Sequence, residues 1–428
     1  MAGAITRTGQ AAGAAGLALI CIAAARPEQA YSTIVSLTAG GACACGLEAA
    51  CSESAHRPKP TFAAAPGSPL KVGPMPGRPL VADFNNDGNP DLAVACGTCC
   101  GSTPSPDSGH VTVMLGDGAG NFRPAGERIV IGPSAIKVAA ADADKDGRPD
   151  LFVIEHNTDD LHVLLGDGTG AFSPAPGSPF RHAGTSPGPR PHTHDVALGD
   201  VNADGNPDAV VTRCNDNRLG VLLGDGRGRF APAPGSPLAA GRHPYEGLHL
   251  RDVTGDGRLD AIVANLQGNT ISVLTGDGAG GFVQTPGSPY AVGPRPGTLV
   301  LADLNADGRD DIAVTHDDEP LLAILLADGR GGFTPAKGSP FTLDAQAWGI
   351  AAADFDADGS TDLAAVSWRG VVTLLRGDGG GGIRSETFTL PVGRGAGQLA
   401  VADLNNDGRA DIVTGNYESG DLTILLAK

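Results

Sequence analysis

The sequence lacks the features that mark several common protein classes. Only 4% of its 428 residues are aromatic, and these include 2 Trp and 4 Tyr. Helical stretches are hard to find, which argues against a helical bundle. No nucleophile elbow, HExxH, P-loop or dinucleotide fingerprint is present, so no common catalytic motif assigns a reaction to the chain.

Positive charge is also scarce. The 48 Asp and Glu residues outnumber the 30 Lys and Arg residues, which gives a formal net charge of −18. A chain this acidic is repelled by nucleic-acid phosphates and by anionic lipid surfaces. After residue 25, no apolar stretch is long enough to cross a membrane. The sequence therefore predicts no nucleic-acid partner and no membrane span.

Glycine and proline, by contrast, are abundant, with 64 Gly and 33 Pro. Short β-branched runs lie between these turn-forming residues, a pattern typical of all-β proteins. The pattern repeats with a period of about 50 residues. A period of this length indicates an array of structural repeats rather than two or three unrelated domains.

Each repeat is built around one acidic loop, of which residues 83–91 are an example. Oxygen-bearing side chains stand at loop positions 1, 3, 5 and 9, and glycine stands at position 6. Calcium prefers roughly six to eight oxygen ligands, and alternate residues of a tightly curled loop can point at one ion. Glycine permits the sharp turn because it adopts positive φ without strain. The sequence therefore predicts that the loops bind Ca²⁺, up to seven ions in all.

Seven copies of the loop supply the predicted calcium ligands. The copy that begins at Asp252 departs most from the pattern, because Thr254 replaces a carboxylate or amide at position 3. Without metal, each loop holds several carboxylates that repel one another, so we expect the calcium-free protein to be less stable. The predicted ligands are Asp83, Asn85, Asp87, Asp91, Asp142, Asp144, Asp146, Asp150, Asp200, Asn202, Asp204, Asp208, Asp252, Thr254, Asp256, Asp260, Asp303, Asn305, Asp307, Asp311, Asp354, Asp356, Asp358, Asp362, Asp403, Asn405, Asp407 and Asp411.

Each repeat is predicted to contain four short strands. In the second repeat, strand 1 covers residues 137–140, strand 2 covers 151–154, strand 3 covers 161–165, and strand 4 begins at Phe172. A Gly-Asp-Gly turn joins strands 3 and 4, and its aspartate is interpreted as a turn former. A Pro-Gly-Ser-Pro segment follows strand 4 and is expected to end the ladder, because proline lacks an N–H group. Seven repeats of four strands predict a seven-bladed β-propeller.

The two ends of the array indicate how the ring closes. The last repeat stops after strand 3, whereas residues 61–69 match the strand 4 segment of the other repeats. We therefore expect this N-terminal strand to join the C-terminal blade and to pair an edge that would otherwise stay open. The propeller is predicted to span residues 61–428.

The residues before the array carry an expected export signal. Arg7, an apolar stretch and the small residues 23–25 predict a signal peptide over residues 1–25, although an Ala/Gly-rich leader would look similar. The prediction implies a secreted, periplasmic or cell-surface protein. Residues 26–60 are interpreted as a disordered linker that contains cysteines. Cys96 and Cys99 fit either a disulfide-stapled loop or a redox or zinc CxxC motif.

The loop motif and its setting resemble a known family. Asp-x-Asn/Asp-x-Asp-Gly-x-x-Asp loops lie between strands of a sevenfold repeat whose fourth strands carry Phe-x-Pro-Ala-Pro-Gly, as at Phe172. This arrangement is similar to FG-GAP/VCBS repeats, which occur in the integrin α-subunit propeller and in many exported bacterial proteins. The resemblance covers residues 61–428. It implies a seven-bladed propeller with Ca²⁺ on one face and a partner surface on the other.

The face opposite the calcium loops varies between repeats and is the expected binding surface. The repeat alignment brings several polar and aromatic residues near the axis. Tryptophan beside charged groups suits stacking and hydrogen bonding to a sugar or a protein, although Trp348 would equally fit as a plug of the central channel. The candidate ligand-binding residues are Arg78, Lys137, His194, Glu246, Trp348 and Trp368.

Three functions are compatible with these patterns. The first is a module for binding or adhesion to an extracellular glycan or protein. The second is a polysaccharide-active lyase or hydrolase with His194, Glu246 and His243 as acid and base at the axis. The third is a structural role in a surface layer or matrix. His192 and His194 would also suit a transition-metal site, or they belong to an ordinary solvated loop.

Overall fold

The computed structural model describes residues 59–97, 109–182 and 192–428. Within these ranges the regular structure is antiparallel β-sheet, apart from one short 3-10 turn at Cys214–Asp216. A search of the same ranges finds no helix with the length and apolar character needed to cross a membrane. The predicted signal peptide, nearly all of the predicted linker and Cys99 lie outside the described residues.

The strands form seven sheets, which are the blades of a propeller. An N-terminal segment provides β1 (Phe62–Ala64) and β2 (Leu70–Lys71). Blade 1 contains β3 (Leu80–Ala82), β4 (Asp91–Cys96), β5 (Gly109–Gly116), β6 (Phe122–Pro124) and β7 (Ile129–Gly132). Blade 2 contains β8 (Ala135–Ala141), β9 (Asp150–Glu155), β10 (Asp160–Gly166), β11 (Phe172–Pro174) and β12 (Phe180–Arg181). Blade 3 contains β13 (Val196–Gly199), β14 (Asp208–Arg213), β15 (Arg218–Gly224), β16 (Phe230–Pro232) and β17 (Leu238–Ala239).

The remaining four blades follow the same order. Blade 4 contains β18 (Pro244–Arg251), β19 (Asp260–Asn265), β20 (Thr270–Gly276), β21 (Phe282–Gln284) and β22 (Tyr290–Ala291). Blade 5 contains β23 (Pro296–Ala302), β24 (Asp311–His316), β25 (Leu321–Ala327), β26 (Phe333–Pro335) and β27 (Phe341–Thr342). Blade 6 contains β28 (Gly349–Ala353), β29 (Asp362–Ser367), β30 (Val371–Gly377) and β31 (Ile383–Pro391). Blade 7 contains β32 (Ala396–Ala402), β33 (Asp411–Asn416) and β34 (Asp421–Ala427).

The hydrophobic core lies between the blades. The first strands of successive blades contact one another around the propeller axis, as β18 contacts β23 and β23 contacts β28. The second strand is buried along its whole length, for example in β9 and β19. Its side chains alternate between the two faces of the sheet, and a neighbouring blade covers each face. In the described part of the chain the core therefore divides into seven clusters, one at each junction of two blades.

The few aromatic residues are concentrated at these junctions. Phe84 and Phe172 pack edge to face with their ring centroids 5.7 Å apart. Phe152 and Phe230 do the same at 5.3 Å. Such pairs contribute roughly 0.5–1.5 kcal/mol beyond the area they bury. A small number of phenylalanines in repeating positions therefore serves many junctions.

The Pro-Gly-Ser-Pro segment does not end the ladder, contrary to the prediction. In blade 2, β11 and β12 lie on either side of the segment, and both pair with β10. Between them the N–H of Val163 donates to the Ser178 hydroxyl at 2.9 Å. The serine hydroxyl thus replaces a missing backbone acceptor, and the fourth strand resumes beyond it. The same contact recurs at Ser68, Ser236, Ser288 and Ser339.

The ring closes through the N-terminal strand, as the sequence predicted. β1 pairs with β34, with Phe62 opposite Ala427, and β2 pairs with the beginning of β34. The Lys71 ammonium lies 2.8 Å from the Asp421 carboxylate. Val72 is buried in the cluster between blades 7 and 1. The seventh blade is therefore assembled from both ends of the described chain.

The described residues include two cysteines. Cys96 and Cys214 are buried free thiols. Cys96 therefore takes no part in the disulfide that its spacing to Cys99 suggested. Burial raises the pKa of the Cys96 thiol to about 12, so this thiol stays protonated and unreactive near neutral pH.

Candidate functional site

The acidic loops are held in a curled conformation by their own side chains. In the first loop, Asn86 at position 4 and Gly88 at position 6 have positive φ values of 57° and 83°. The Asp83 carboxylate accepts hydrogen bonds from the N–H groups of Asp87 and Gly88 at 3.1 and 2.8 Å. The Asn89 N–H donates to the Asp87 carboxylate at 2.8 Å. These bonds draw the side chains of positions 1, 3 and 5 towards one another.

The donor set of the loops fits calcium. In the second loop, one carboxylate oxygen from each of Asp142, Asp144 and Asp146 lies within 4.8 Å of the others. Hard oxygen donors grouped in this way suit Ca²⁺. In the sixth loop, Oδ1 of Asp356 is buried and finds no hydrogen-bond partner among the described residues. A cation held beside Asp356 would remove the cost of this orphaned oxygen.

The aspartate at position 9 has a structural role that the motif does not reveal. Asp150 is fully buried, and its carboxylate accepts hydrogen bonds from Ala143 in the loop and Gly166 at the end of β10, at 2.7 and 2.8 Å. Burial raises the pKa of Asp150 to about 7, although these two hydrogen bonds act in the opposite direction. Corresponding hydrogen bonds occur in all seven blades. Position 9 therefore fastens the loop to the third strand.

Arg376 in β30 places a buried positive charge beside the sixth loop. Arg376 is 6% exposed, forms an ion pair with Asp356 and has Nη2 3.8 Å from the Asp358 carboxylate. The Arg384 guanidinium lies 3.3 Å from the same Asp358 carboxylate. The two arginines compensate part of the loop charge without metal.

The aspartates of the tight turns act as turn formers, as expected. In blade 1 the Asp117 carboxylate accepts hydrogen bonds from the N–H groups of Ala119 and Asn121 at 2.8 and 3.1 Å. The corresponding bonds occur at Asp167, Asp225, Asp277, Asp328 and Asp378. These acids belong to the turns between the third and fourth strands rather than to the acidic loops.

A cavity of about 250 Å³ lies at the propeller axis. All six candidate ligand-binding residues line it, although they come from five blades. Most of them lie in the first strand of a blade or just before it, whereas Trp368 directly follows β29. The six are Arg78, Lys137, His194, Glu246, Trp348 and Trp368. Their proximity is a finding of the structure, and ligand binding by them remains a prediction.

One wall of the cavity is charged and connects three blades. The Lys137 ammonium lies 2.8 Å from Oδ1 of Asp195. Oδ2 of the same carboxylate accepts hydrogen bonds from the N–H groups of Gly247 and Leu248 at 2.9 and 3.1 Å. Asp195 therefore orients the lysine and anchors blade 4 to blade 3. The charge of Lys137 is partly neutralised before any ligand arrives.

Glu246 is the titratable acid of this wall. Gln398 donates a hydrogen bond to its Oε2 at 2.6 Å, and the Thr298 hydroxyl donates to the same oxygen at 3.4 Å. Burial raises the pKa of Glu246 to about 7, while the positive charge of Lys137 acts against this rise and that of Asp195 adds to it. The carboxyl group therefore exchanges its proton near neutral pH.

Arg78 supplies a second cation to the same wall. Burial lowers the pKa of the Arg78 guanidinium, and the negative charges of Asp195 and Glu246 oppose this change. A guanidinium remains charged in proteins even so. The wall thus combines two cations, one acid of variable charge and the amide of Gln398.

Other residues of the cavity lining are aromatic. The ring centroids of Trp348 and Trp368 are 5.4 Å apart, and those of Trp368 and Tyr417 are 5.3 Å apart. The Trp368 indole N–H donates to the Glu418 carboxylate at 3.1 Å, and 36% of this tryptophan remains exposed. Trp348 is one of the residues that line the cavity. The three rings form a continuous aromatic surface.

The histidines divide between the cavity and its surroundings. His194 lines the cavity and has its ring centroid 4.2 Å from that of Tyr245. Burial and the neighbouring His156 and His192 hold the pKa of His194 well below its usual value. His243 is not among the residues that line the cavity, so the three expected acid–base residues do not form one group. Sequence analysis missed His156, because nothing in the repeat marks it.

Comparison with known proteins places the fold. No curated protein matches the chain by sequence. Among solved structures, a protein from Lactobacillus plantarum aligns with a TM-score of 0.58 at 16% identity, covering 77% of this chain and 89% of that one. The periplasmic gluconolactonase PpgL of Pseudomonas aeruginosa aligns with a TM-score of 0.54 at 18% identity, covering 78% and 96%. At these identities the two likenesses establish the fold alone.

A third similar structure is a lectin from Agrocybe aegerita that recognises non-reducing terminal N-acetylglucosamine. It aligns with a TM-score of 0.49 at 18% identity, covering 84% of this chain and 85% of the lectin.

The family is decided by the repeats themselves. The sequence profile of the FG-GAP-like repeat matches six overlapping segments, residues 83–153, 142–211, 200–263, 252–314, 303–365 and 354–414. Each segment begins at position 1 of an acidic loop and ends within or just after the second strand of the next blade. The segments together cover most of the chain. The protein therefore belongs to the FG-GAP-like repeat family.

Proposed function

We propose that this protein is an exported, calcium-binding propeller whose axial cavity binds an extracellular glycan. The observation that carries the proposal is the composition of the cavity. The cavity is lined by an aromatic surface of Trp348, Trp368 and Tyr417 and also by the polar side chains of Glu246 and Gln398. This pairing of an aromatic face with charged and amide groups is the chemistry that a sugar ring requires.

Each wall would contact a different part of a sugar. Aromatic rings pack against the C–H face of a pyranose, while carboxylate, amide and guanidinium groups exchange hydrogen bonds with its hydroxyl groups. The cavity of about 250 Å³ is slightly smaller than the roughly 300–1,000 Å³ sites that hold drug-sized ligands. We infer that it holds one terminal or branching sugar unit. The two cations Arg78 and Lys137 favour a sugar that carries a carboxylate.

Calcium has a supporting role in this proposal. The acidic loops and the cavity lie at opposite ends of the first strands, so the ions would not contact the ligand. When bound, Ca²⁺ would neutralise the clustered carboxylates and hold each loop in its curled form. The seven sites would thereby stabilise the ring that positions the cavity residues.

Export is the third part of the proposal. It rests on the basic residue and the apolar stretch within residues 1–25. Cell fractionation combined with N-terminal sequencing of the protein tests it. A protein recovered from the cytoplasm with residues 1–25 intact contradicts export but leaves the cavity chemistry unaffected.

A glycan array followed by titration calorimetry in calcium-containing buffer tests the binding function. We expect binding to glycans with a terminal uronic acid or a similar acidic sugar. Trp368→Ala should weaken binding at least about fivefold, because single stacking contacts contribute about 1–3 kcal/mol. Val283→Ala is the control, since Val283 is 67% exposed and does not line the cavity. Unchanged glycan affinity in Trp368→Ala would overturn the assignment of the cavity as the binding site. Binding to proteins and to no glycan would show that the ligand is a protein.

A second candidate function is favoured by Glu246. A carboxyl group whose pKa is raised to about 7 is suited to general acid–base catalysis near neutral pH. A polysaccharide lyase or hydrolase using this residue would lose turnover in Glu246→Gln, which keeps the side-chain shape. Screening acidic polysaccharides for cleavage distinguishes the two functions. Absence of cleavage together with measurable binding would leave the binding function alone.

A further inference from the structure

A group of three histidines lies beside the axial cavity, at the junction of blades 2 and 3. His156 follows β9, and His192 and His194 precede β13. The ring centroids are 4.4 Å apart for His156 and His192, 4.6 Å for His156 and His194, and 4.5 Å for His192 and His194. One ring nitrogen of each lies within 4.8 Å of the other two. Three imidazoles therefore converge on one point.

One hydrogen bond of this group sets the tautomer of His156. Nδ1 of His156 lies 3.1 Å from the Thr193 carbonyl oxygen. Since a carbonyl can only accept, Nδ1 carries the proton, and Nε2 is the unprotonated nitrogen of the neutral ring. A metal-binding histidine usually donates a hydrogen bond of this kind from the ring nitrogen that does not bind the metal.

His194 gives an independent sign of a missing ligand. Only 3% of the residue is exposed, and its Nε2 finds no hydrogen-bond partner within the part of the chain that the structure describes. A buried polar atom without a partner costs roughly 1–3 kcal/mol. A bond from Nε2 to a metal ion would remove that cost. The orphaned atom belongs to the same residue that lines the axial cavity.

The donor chemistry differs from that of the acidic loops. Imidazole nitrogens favour Zn²⁺, Cu²⁺ and Ni²⁺, whereas Ca²⁺ prefers oxygen donors. Cys214 and His243 form a second triad with His192, again within 4.8 Å, so the neighbouring donors are also nitrogen and sulfur. Calcium ions would therefore not compete for this group.

We propose that His156, His192 and His194 bind one divalent transition-metal ion, of which Zn²⁺ is the most suitable. Three histidines occupy three positions of a tetrahedral ion and leave the fourth for water or a ligand. Since His194 belongs to both the triad and the cavity wall, the ion lies next to the cavity. The proposal stands independently of the glycan, because the triad would bind the ion with the cavity empty.

Cobalt titration of the full chain tests the site. The protein is stripped with chelator, returned to millimolar Ca²⁺ so that the acidic loops are saturated, and titrated with Co²⁺ as a spectroscopic substitute for Zn²⁺. We expect a visible absorption typical of tetrahedral Co²⁺ that is lost on addition of Zn²⁺. Titration with Zn²⁺ should also raise the melting temperature, since the ion binds only the folded triad.

Variants assign the ligands. His194→Ala and His156→Gln should each lose more than roughly tenfold in Co²⁺ affinity, the smallest loss expected even for a residue that only supports a ligand. His162→Gln is the matched control, because His162 is only partly buried and lies in the same blade outside the triad. Circular dichroism and thermal melting verify that each variant is folded, and the two variants are independent should one of them fail to fold.

Three results would overturn the proposal. The first is no tetrahedral Co²⁺ signal in calcium buffer. The second is a signal that persists unchanged in both His194→Ala and His156→Gln. The third is a thiolate-to-cobalt absorption band that is lost in Cys214→Ser and retained in His156→Gln, which would assign the ion to the triad of His192, Cys214 and His243.

Discussion

The side-chain nitrogen of Gln398 lies 2.6 Å from Oε2 of Glu246, although the two residues are 152 positions apart in the chain. The hydrogen bond joins the first strand of blade 7 to that of blade 4 across the axis. Both residues line the cavity. The charge state of Glu246 is therefore linked to the arrangement of the cavity wall, and this link leads to the first prediction.

Glu246 should make stability depend on pH. Its pKa is raised from 4.5 to about 7 in the folded protein. From pH 4.5 to about pH 7 the folded state retains a proton that the unfolded state loses. Stability from this group is therefore present at acid pH and declines as the pH rises. Glu246→Gln should remove up to about 3 kcal/mol of this decline in the free energy of unfolding, since a shift of one pKa unit corresponds to roughly 1.4 kcal/mol.

Denaturant unfolding of both proteins at the two ends of this range checks the prediction. The comparison is made at constant calcium, so that the other acids contribute equally to both proteins. Identical pH profiles for the wild type and the variant would show that folding does not raise the pKa of Glu246.

Calcium should stabilise the propeller through several additive sites. We expect the melting temperature to be higher in millimolar Ca²⁺ than in chelator, because the ion binds the curled loops and not the unfolded chain. Asp303→Ala should reduce this difference by the share of one loop. Asp328→Ala is the control, since its carboxylate bonds the tight turn of the same blade. A melting temperature that is independent of calcium would refute the loops as metal sites.

Removal of the N-terminal strands should open the ring. A chain that begins at residue 59 keeps β1 and β2, whereas one that begins at residue 73 loses them and leaves the outer edge of β34 unpaired. The shorter chain also loses Leu70 and Val72 from the cluster between blades 7 and 1. Two such side chains contribute roughly 3–6 kcal/mol by burial. Equal melting temperatures for the two chains would contradict the closure.

Arg376 should substitute in part for calcium in the sixth loop. Arg376→Met leaves Asp356 and Asp358 without this buried cation, a change that typically costs about 3–5 kcal/mol. We expect the variant to lose this stability in chelator and to recover part of it in calcium. Arg369→Met, an exposed substitution in the same blade, should change stability by less than about 0.5 kcal/mol. A loss of equal size in both buffers would mean that calcium does not bind beside Arg376.

The repeat made much of the fold predictable. Loop signals recur seven times and tight-turn signals six times, so an error in one repeat is corrected by the others. The alignment also brought Trp348 and Glu246 to the same axial position. The split fourth strand was not predictable in this way. It depends on the Ser178 hydroxyl replacing a backbone acceptor for Val163, a contact that turn propensities do not describe.

The sites were predictable to different degrees. The acidic loops are contiguous, so their spacing alone indicates their chemistry. Position 9 was predicted to be a ligand, but its hydrogen bonds to the third strand were not predicted, since Gly166 lies 16 residues beyond Asp150. Only His192 and His194 of the histidine triad were predicted as a possible metal site, because His156 comes from a different blade.

The sequence by itself determined the number of blades, the acidic loops and the strand that closes the ring, because each is written in residues close together and repeated along the chain. Only the tertiary structure decided which side chains share a cavity, that Gln398 bonds Glu246, and that His156 joins His192 and His194. These groups assemble across blade junctions. Their distances follow from how neighbouring sheets pack around the axis, which no local pattern records.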